Sequence, residues 1–147
     1  MKQIVEMSRI EPAIRQIVEV GGVVRLTVTG QSMFPTLVEK RDSVLLVKPD
    51  KIKKGDIVLY QRKNGDYVLH RIVKKKKDEF SLCGDNQTII ECPIYREQIF
   101  GVVSGIVRKG KIIPVTDVKY RIASFVWTRF IGLRPFLLRN FIKMKRK

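Results

Sequence analysis

The sequence predicts a mainly β domain, built as a small barrel, a sandwich or a coiled sheet, with one helix before it and basic amphipathic helices after it. Three observations support this class. A chain of 147 residues is the size of one ordinary domain, and 44% apolar residues are enough for a core. Seven short β-branched runs separated by turn signals occupy residues 23–118. Helical spacing of apolar residues is confined to residues 1–22 and 119–147.

The N-terminal segment predicts one amphipathic helix. Its apolar residues recur at helical spacing, and Pro12 is tolerated in a first turn. The pair Gly21-Gly22 then ends the helix. The residues that share the apolar face are Ile10, Ile14, Ile17 and Val18.

The β-rich body is predicted from runs rich in valine, isoleucine, leucine and aromatic residues. The runs are VVRLTVTG, DSVLLVK, GDIVLYQR, DYVLHRIV, EFSLCG, QIFGVVSGIVR and KIIPVT. Asn64-Gly65 lies between the third and fourth runs and suits a tight hairpin turn, and Lys109-Gly110 marks another turn. The four lysines at 74–77 are most simply the solvated tip of a hairpin.

The C-terminal segment differs from the body in composition. From Tyr120 onward it contains no acidic residue, and basic residues interrupt an otherwise aromatic and aliphatic sequence. Gly132 and Pro135 divide it into two predicted helices. At about 100° per residue, the first helix has one apolar face. That face consists of Ile122, Ala123, Val126, Trp127, Phe130 and Ile131, and the opposite, polar face carries Arg121, Ser124, Thr128 and Arg129.

Two fates are open for this segment. Its apolar face can pack against the β body or a partner subunit, which is the usual fate of such a helix. Alternatively, it lies on an anionic bilayer surface, where each nearby basic residue contributes roughly 1 kcal/mol. The aromatic content and the net charge of +16 favour the membrane surface, and no recognisable motif supports nucleic acid. The residues predicted to contact lipid are Trp127, Arg129, Arg134, Arg139 and Lys143.

Cysteine and histidine content argues against a metal site. The chain has two cysteines, Cys83 and Cys92, and one histidine, too few for a zinc set of standard spacing. The sequence therefore predicts neither a metal nor another cofactor. Isolated cysteines suit a reducing compartment, although a disulfide between them stays open.

The sequence also bears on location. No run of about 18 uncharged residues is present, and the acidic N-terminal residues argue against a secretory signal. We therefore expect the chain in the cytoplasm, or bound peripherally to the inner face of the cell membrane. The oligomeric state is left open.

A serine occupies an unusual place in the stretch VTGQSMFPTL at 28–37. A nucleophilic serine needs exposure, a base within hydrogen-bond reach and donors aimed at the developing oxyanion. A strand-to-turn junction would expose Ser32. Gly30 lets a substrate backbone come close, and Pro35 fixes the exit of the turn. The base must come from elsewhere, and His70 in YVLHRIV is the single histidine, although a lone histidine more often fills a half-buried strand position.

Four motifs in order give a specific resemblance. They are GQSMFPTL at 30–37, KGDIVLY at 54–60, YVLHRIV at 67–73 and CGDNQ at 83–87. This series resembles the signal peptidase I family and its self-cleaving repressor relatives. The resemblance covers the β body and neither terminus, and it implies a serine endopeptidase with the β fold of that family.

The resemblance also implies roles for individual residues. Ser32 matches the nucleophile, and the following Met33 would help to line the substrate cleft. His70-Arg71-Ile72 is similar to the branch in which histidine, rather than lysine, is the general base. The expected catalytic unit is therefore a Ser32/His70 dyad.

The acidic partner of the histidine is less sharply defined. The motif Gly-Asp-Asn implies that Asp85 orients or electrostatically supports His70, and Glu91 or Glu97 is the candidate second acid. Many family members carry a serine where this chain has Gly30, so the oxyanion would be held by backbone N–H groups, chiefly that of Ser32. The usual Gly-Asp after the first motif is Arg41-Asp42 here, which suggests a changed turn.

These features together predict a serine endopeptidase that cleaves a leader or signal-like segment from a peptide precursor, at the cytoplasmic membrane surface. One alternative is a catalytically idle module of the same fold that grips an extended peptide. Another is a basic adaptor for a membrane surface or nucleic acid, in which the charge itself is the function.

Overall fold

The computed structural model describes residues 7–145, and the ends of the predicted terminal segments, residues 1–6 and 146–147, lie outside it. Over the described range the chain forms three α-helices and eight β-strands. The helices are α1 (Met7–Glu19), α2 (Val118–Arg129) and α3 (Arg134–Lys145). The strands are β1 (Val24–Thr27), β2 (Asp42–Val47), β3 (Ile57–Gln61), β4 (Tyr67–Lys76), β5 (Glu79–Cys83), β6 (Glu91–Tyr95), β7 (Ile99–Arg108) and β8 (Lys111–Pro114).

The N-terminal helix is confirmed, but Pro12 does not lie in its first turn as predicted. The chain is already helical at Met7, so Pro12 lies inside α1 rather than in its first turn. Burial of Ile14 and Val18 attaches one side of α1 to the sheet core. The helix ends as predicted, because Gly21 takes a positive φ of 83° and its N–H donates to the Val18 carbonyl.

The strands form one antiparallel sheet in the order β1-β2-β7-β3-β4-β5-β6, with β8 paired to β7. Register shifts in four of the strand pairs bend the sheet, which coils without closing into a barrel. The mainly β class is therefore confirmed in its coiled-sheet form. Asn64-Gly65 and Lys109-Gly110 lie in the turns of the β3–β4 and β7–β8 hairpins, as predicted.

One strand, β6, was not predicted from the sequence. β6 reads ECPIY, with only Ile94 buried, and Pro93 cannot donate to a strand ladder. It is the last strand in the sheet order and pairs on one side only, with β5. An edge strand needs little apolar alternation, so its sequence does not reveal it.

The sheet is buried on both faces at its centre. In β3, Ile57 and Leu59 belong to one core cluster, which α1 helps to cover, whereas Val58 and Tyr60 belong to the other. Successive residues of a strand point to opposite faces. This explains why β3 reads as a continuous apolar run rather than an alternating one.

The C-terminal segment forms two helices, as predicted, but α2 packs through a different face. Ser124 and Thr128, assigned to its polar face, turn toward the body, and Thr128 is buried. Ile122 and Val126, assigned to the apolar face, are exposed instead. The reason is that α2 packs against buried polar groups of the body, above all the Arg71 guanidinium, which a polar helix face can satisfy.

Two further observations concern the described residues as a set. Within residues 7–145, no helix combines the length and the apolar character that crossing a bilayer requires. Cys83 is buried and Cys92 is exposed, and both are free thiols. The disulfide that the sequence left open is therefore not formed.

Candidate active site

The turn that carries Ser32 follows β1 and is held at both ends. Val28 N–H donates to the Asp42 carbonyl on β2, and Leu37 N–H donates to the Met33 carbonyl inside the turn. Met33 is buried in the core, whereas Ser32 is only half-buried. The peptide between Phe34 and Pro35 is cis. Anchoring by the apolar residue after the serine therefore leaves the serine at the surface of a fixed turn.

Asp42 fixes the far end of this turn from inside the protein. Its carboxylate is fully buried and accepts hydrogen bonds from Arg108, Arg41 and the Val38 N–H. Burial alone would raise the pKa of Asp42, but these hydrogen bonds outweigh it and lower the pKa to about 2. Arg108 also donates to the Thr36 carbonyl, so β7 and the serine turn share one cation. Arg41-Asp42 thus places a buried carboxylate, paired with a half-buried arginine, at the start of β2.

His70 approaches Ser32 from β4. The histidine is 1% exposed and pairs with Val58 of β3 in the ladder. A Cβ atom on Gly84 would lie 2.6 Å from the Ser32 carbonyl oxygen and 3.1 Å from His70 Nε2. The two residues therefore converge on Gly84, where no side chain larger than hydrogen fits. No hydrogen bond joins the Ser32 hydroxyl to His70 among the described residues, so proton transfer between them requires the two groups to move into hydrogen-bond reach.

The opposite side of the His70 ring is bound by Tyr60 and Glu91. The Tyr60 hydroxyl lies 3.1 Å from His70 Nδ1 and 2.7 Å from Glu91 Oε2. An ionised carboxylate can only accept, so the single Tyr60 hydrogen goes to Glu91. The Tyr60 oxygen then accepts from His70 Nδ1–H, which leaves the lone pair on Nε2, the nitrogen nearest Gly84. Arg62 binds the same carboxylate and holds it in place.

Burial sets the protonation state of this group. It lowers the pKa of His70 to about 4, and the nearby Glu91 carboxylate opposes the shift without reversing it. Burial raises the pKa of Tyr60, and its hydrogen bond to Glu91 raises it further. Burial would also raise the pKa of Glu91, but hydrogen bonds from Arg62 and Tyr60 lower it overall. At neutral pH the site therefore contains a neutral histidine, a neutral tyrosine and a carboxylate.

Of the two roles predicted for Asp85, orienting His70 or supporting it electrostatically, its contacts fit the second. Its carboxylate is fully buried and receives two hydrogen bonds from Arg71, at 2.8 and 2.7 Å, and one from the Thr36 hydroxyl. It makes no hydrogen bond to His70 within the described chain, although its negative charge partly opposes the lowering of the His70 pKa by burial. Asp85 therefore ties the serine turn to β4, and its influence on His70 is electrostatic.

The loop around Asp85 is also bound by the C-terminal helices. Trp127 Nε1 donates to the Asp85 carbonyl at 2.7 Å. The Arg134 guanidinium is 0% exposed and donates to the carbonyls of Gly84 and Gln87. The Asn86 N–H in turn donates to the Ser32 carbonyl. The loop is thus held between the serine turn on one side and α2 and α3 on the other.

The residues predicted to contact lipid are divided by this packing. Trp127 and Arg134 are engaged inside the protein, so their polar groups are not available to lipid head groups. Arg129, Arg139 and Lys143 have exposed side chains. The two groups differ in whether the fold brings the residue next to the loop at 84–87. The sequence alone does not show that proximity.

Ser32 and His70 open into a common cleft of about 300 Å³. Gly30 and Met33 also line it, as predicted from the motif, whereas Pro35, the third residue predicted for the cleft, is not in its lining. Strand edges form its sides: residues 26–30 lie along one and residues 67–70 along the other. β1 pairs only with β2, and residues 67–70 pair only with β3 among the described strands. The cleft therefore presents unpaired backbone groups on either side of the serine.

A comparison with protein families agrees with this architecture. A family model described as Peptidase S24-like matches residues 3–104, which is more than half of the chain. The chain belongs to the Peptidase S24-like family. The family match contains the serine turn, His70, Asp85 and Glu91, and it ends within β7. It does not reach α2 and α3. No curated protein matches the chain.

Membership of the Peptidase S24-like family indicates a serine-peptidase type of activity, of the kind found in peptidases and self-cleaving repressors. The sequence analysis identified Ser32 and His70, which line one cleft, but it did not identify Tyr60. A usable signal was present, because Tyr60 ends the motif at 54–60 and its hydroxyl needs a partner when the ring is buried. Glu97, the other candidate acid, is exposed in the short turn Arg96–Gln98. Within residues 7–145, no three or more histidine, cysteine, aspartate or glutamate side chains lie close enough together to hold a metal ion.

Proposed function

We propose that this chain is a serine endopeptidase of the histidine-dependent signal peptidase type, in which Ser32 is the nucleophile and His70 the general base. The observation that carries the proposal is that Ser32 and His70 line one open cleft, and that the Ser32 backbone and His70 Nε2 both lie against Gly84. A buried, neutral imidazole with its Nδ1 already bound is suited to accept a proton at Nε2.

The proposed chemistry has two steps. Ser32 Oγ attacks the scissile carbonyl carbon while its proton passes to His70 Nε2, and backbone N–H groups of the serine turn stabilise the oxyanion. His70 then gives this proton to the leaving amine as the peptide C–N bond breaks, which leaves an ester on Ser32. In the second step water attacks the ester carbonyl carbon while His70 Nε2 takes one of its protons, and His70 then gives this proton to Ser32 Oγ as the ester C–O bond breaks, which releases the acid and regenerates both residues.

The surroundings of His70 support the charged intermediate of each step. When Nε2 gains a proton the ring becomes an imidazolium, and Glu91 Oε1 lies 4.0 Å from its Nδ1. Tyr60 connects the two groups by hydrogen bonds. Glu91, rather than Asp85, is therefore the acid that we assign to orienting the base. Asp85 is assigned to holding the serine turn and β4 together.

The shape of the cleft supports an extended peptide as substrate. A segment entering between the two unpaired strand edges would add as a β-strand and present its carbonyl to Ser32. The family resemblance favours small side chains on the acyl side of the scissile bond. We propose that the substrate is the leader or signal-like segment of a peptide precursor, cleaved at an anionic membrane surface to which the basic chain binds.

The test is peptide cleavage by matched serine variants. A mixture of extended synthetic peptides is incubated with the full chain, and products are identified by mass spectrometry. Ser32→Ala and His70→Ala should each lower the rate by about 10³-fold or more, because the two residues act as a unit. Ser81→Ala, which removes a half-buried hydroxyl from β5, should leave the rate within about twofold. Equal cleavage by wild-type chain and Ser32→Ala would refute the proposal.

A second candidate is an idle peptide-binding module. The unpaired strand edges favour it, since they would bind an extended peptide without any chemistry. Intact mass measured during turnover separates the two functions. A peptidase accumulates or transiently shows an acyl adduct that maps to Ser32, whereas a binding module retains the peptide intact and carries no adduct.

A further inference from the structure

Helix α2 has two faces with different surroundings. Tyr120, Ser124, Trp127 and Thr128 face the body: Tyr120 packs on the core, and Ser124 accepts from Arg71 at 2.9 Å. The opposite stripe has the spacing of one helix face and is exposed to solvent. Its residues are Val118, Ile122, Phe125 and Arg129.

The exposed apolar surface continues beyond α2. Ile122 is 61% and Phe125 68% exposed, and Leu133 and Phe136 are similarly exposed in the next turn and helix. Large apolar side chains in this number are unusual on a free surface. All charged residues in this part of the chain are basic, because the sequence has no acidic residue after Asp117. This composition is that of a surface that lies on anionic lipid.

A basic cavity lies beside this surface. It has a volume of about 520 Å³ and lies between α2 and the loop before β3, with residues of both faces of α2 in its lining. Four basic side chains line it, namely Lys53, Lys54, Arg121 and Arg129. Asp56 is the single acidic residue in its lining, and Phe125 lies at its edge. The cavity therefore combines positive charge with an adjoining apolar side chain, as a phospholipid head group requires.

We propose that the free face of α2 binds an anionic phospholipid bilayer, with Ile122 and Phe125 in the lipid and a head-group phosphate in the cavity lined by Lys53, Lys54, Arg121 and Arg129. This proposal specifies how the chain would bind the membrane surface named in the proposed function. It rests on that part of the proposed function and not on the peptidase chemistry. The surface differs from the face that the sequence indicated, since Trp127 and Arg134 are used inside the protein.

The same helix is joined to the active site. Ser124 binds Arg71, which neighbours His70 in sequence, and Trp127 binds the loop at Asp85. A bilayer bound to the outer face of α2 would therefore hold the catalytic loop at a fixed distance from the lipid surface. Substrates anchored in or on that surface would meet the cleft at a fixed height.

The test is co-sedimentation of the full chain with vesicles. One set consists of phosphatidylcholine alone and the other contains an equal part of phosphatidylglycerol. Binding should be at least about tenfold tighter to the anionic set and should weaken as salt is raised. Equal binding to both sets, or to neither, would overturn the proposal.

Matched variants assign the surface. Ile122→Ser/Phe125→Ser should weaken binding to anionic vesicles at least about tenfold, whereas Val20→Ser/Val23→Ser, which removes two exposed apolar residues near α1, should not. Arg121→Gln/Arg129→Gln should weaken binding more than Lys74→Gln/Lys76→Gln, which removes the same charge from the β4–β5 hairpin. Equal loss within either pair would show that binding does not use α2. Circular dichroism confirms that each variant is folded.

Other anionic ligands are arms of the same experiment. Displacement from vesicles by millimolar glycerol phosphate would show that the cavity takes a free phosphate ester and would overturn the bilayer assignment. Tighter binding to a DNA duplex than to vesicles, lost equally in Arg121→Gln/Arg129→Gln, would overturn it in favour of nucleic acid. Ser32→Ala should bind vesicles as the wild-type chain does. Failure of the peptidase proposal would therefore leave this result intact, and the reverse also holds.

Discussion

The Tyr60 hydroxyl lies between His70 and Glu91, and its hydrogen bonds determine which nitrogen of the neutral His70 ring carries the hydrogen. Tyr60 has a single hydrogen, and Glu91 is the stronger acceptor. Nδ1 must therefore carry the hydrogen of the neutral ring, and Nε2 is free to act as base. In a Ser/His/Asp triad the carboxylate makes this bond itself; here a phenol extends its reach.

Tyr60→Phe should release this constraint. We expect a loss of about 10- to 100-fold in peptide cleavage, because the ring keeps its place but loses its preferred tautomer. The ¹⁵N spectrum of the imidazole reads the tautomer directly, and the single histidine gives one pair of signals. The wild-type chain should show Nδ1 protonated at neutral pH, and Tyr60→Phe should show a mixture.

Tyr95→Phe is the matched control, since Tyr95 lies exposed on β6. It should change neither the spectrum nor the rate. An unchanged His70 spectrum in Tyr60→Phe would show that Tyr60 does not orient the ring, whatever the effect on activity. The spectrum needs no substrate, so it separates the role of Tyr60 from the peptidase proposal.

The C-terminal helices are connected to the loop at 84–87 mainly through Arg134. Its guanidinium is buried, lies 3.9 Å from Asp85, and donates to carbonyls of the loop at 84–87 and of Trp127. It also lies over the Trp127 ring. Helix α3 therefore contributes a buried cation to the active-site support, although it lies outside the family match.

Arg134→Met should destabilise the chain by about 3 kcal/mol, because it leaves carbonyl acceptors and part of the Asp85 charge without a partner. Arg139→Met removes an exposed arginine from the same helix and should cost less than about 0.5 kcal/mol. Urea unfolding followed by tryptophan fluorescence measures both, since Trp127 is the only tryptophan. Equal effects of the two substitutions would contradict the role given to Arg134.

The stability of the molecule as a unit should depend on pH through His70. Burial holds the pKa of His70 at about 4 in the folded chain, against an ordinary value of 6.5. The unfolded chain therefore takes up a proton that the folded chain does not. The His70 contribution to stability is complete above pH 6.5 and is lost as the pH falls toward 4.

This difference predicts a loss of about 3 kcal/mol in the free energy of unfolding between pH 7 and pH 4. Urea unfolding at intervals of pH measures it. His70→Gln should remove most of the slope in that range, and a variant with the wild-type slope would contradict the assignment. The lower window is separate: Asp42, with a pKa of about 2 against 3.8, loses its contribution only below pH 4.

The local signals in the sequence determined much of this protein. Apolar spacing and glycine placement gave α1 and its end, β-branched runs gave seven of the eight strands, and the motif order gave Ser32 and His70 as a pair. These succeed because helix ends, hairpin turns and buried strands depend on residues close together in the chain.

Tertiary structure alone decided which polar groups meet. Asp85 makes its hydrogen bonds to Arg71 and not to His70, Tyr60 joins Glu91 to His70 by hydrogen bonds, and α2 turns Ser124 and Thr128 toward the body while Ile122 and Val126 stay exposed. A buried polar group must find a partner wherever the fold brings one, and the residues joined here are 10 to 53 positions apart. Periodicity predicts which residues can be buried, whereas the pairing of buried charges is settled by packing across the whole sheet.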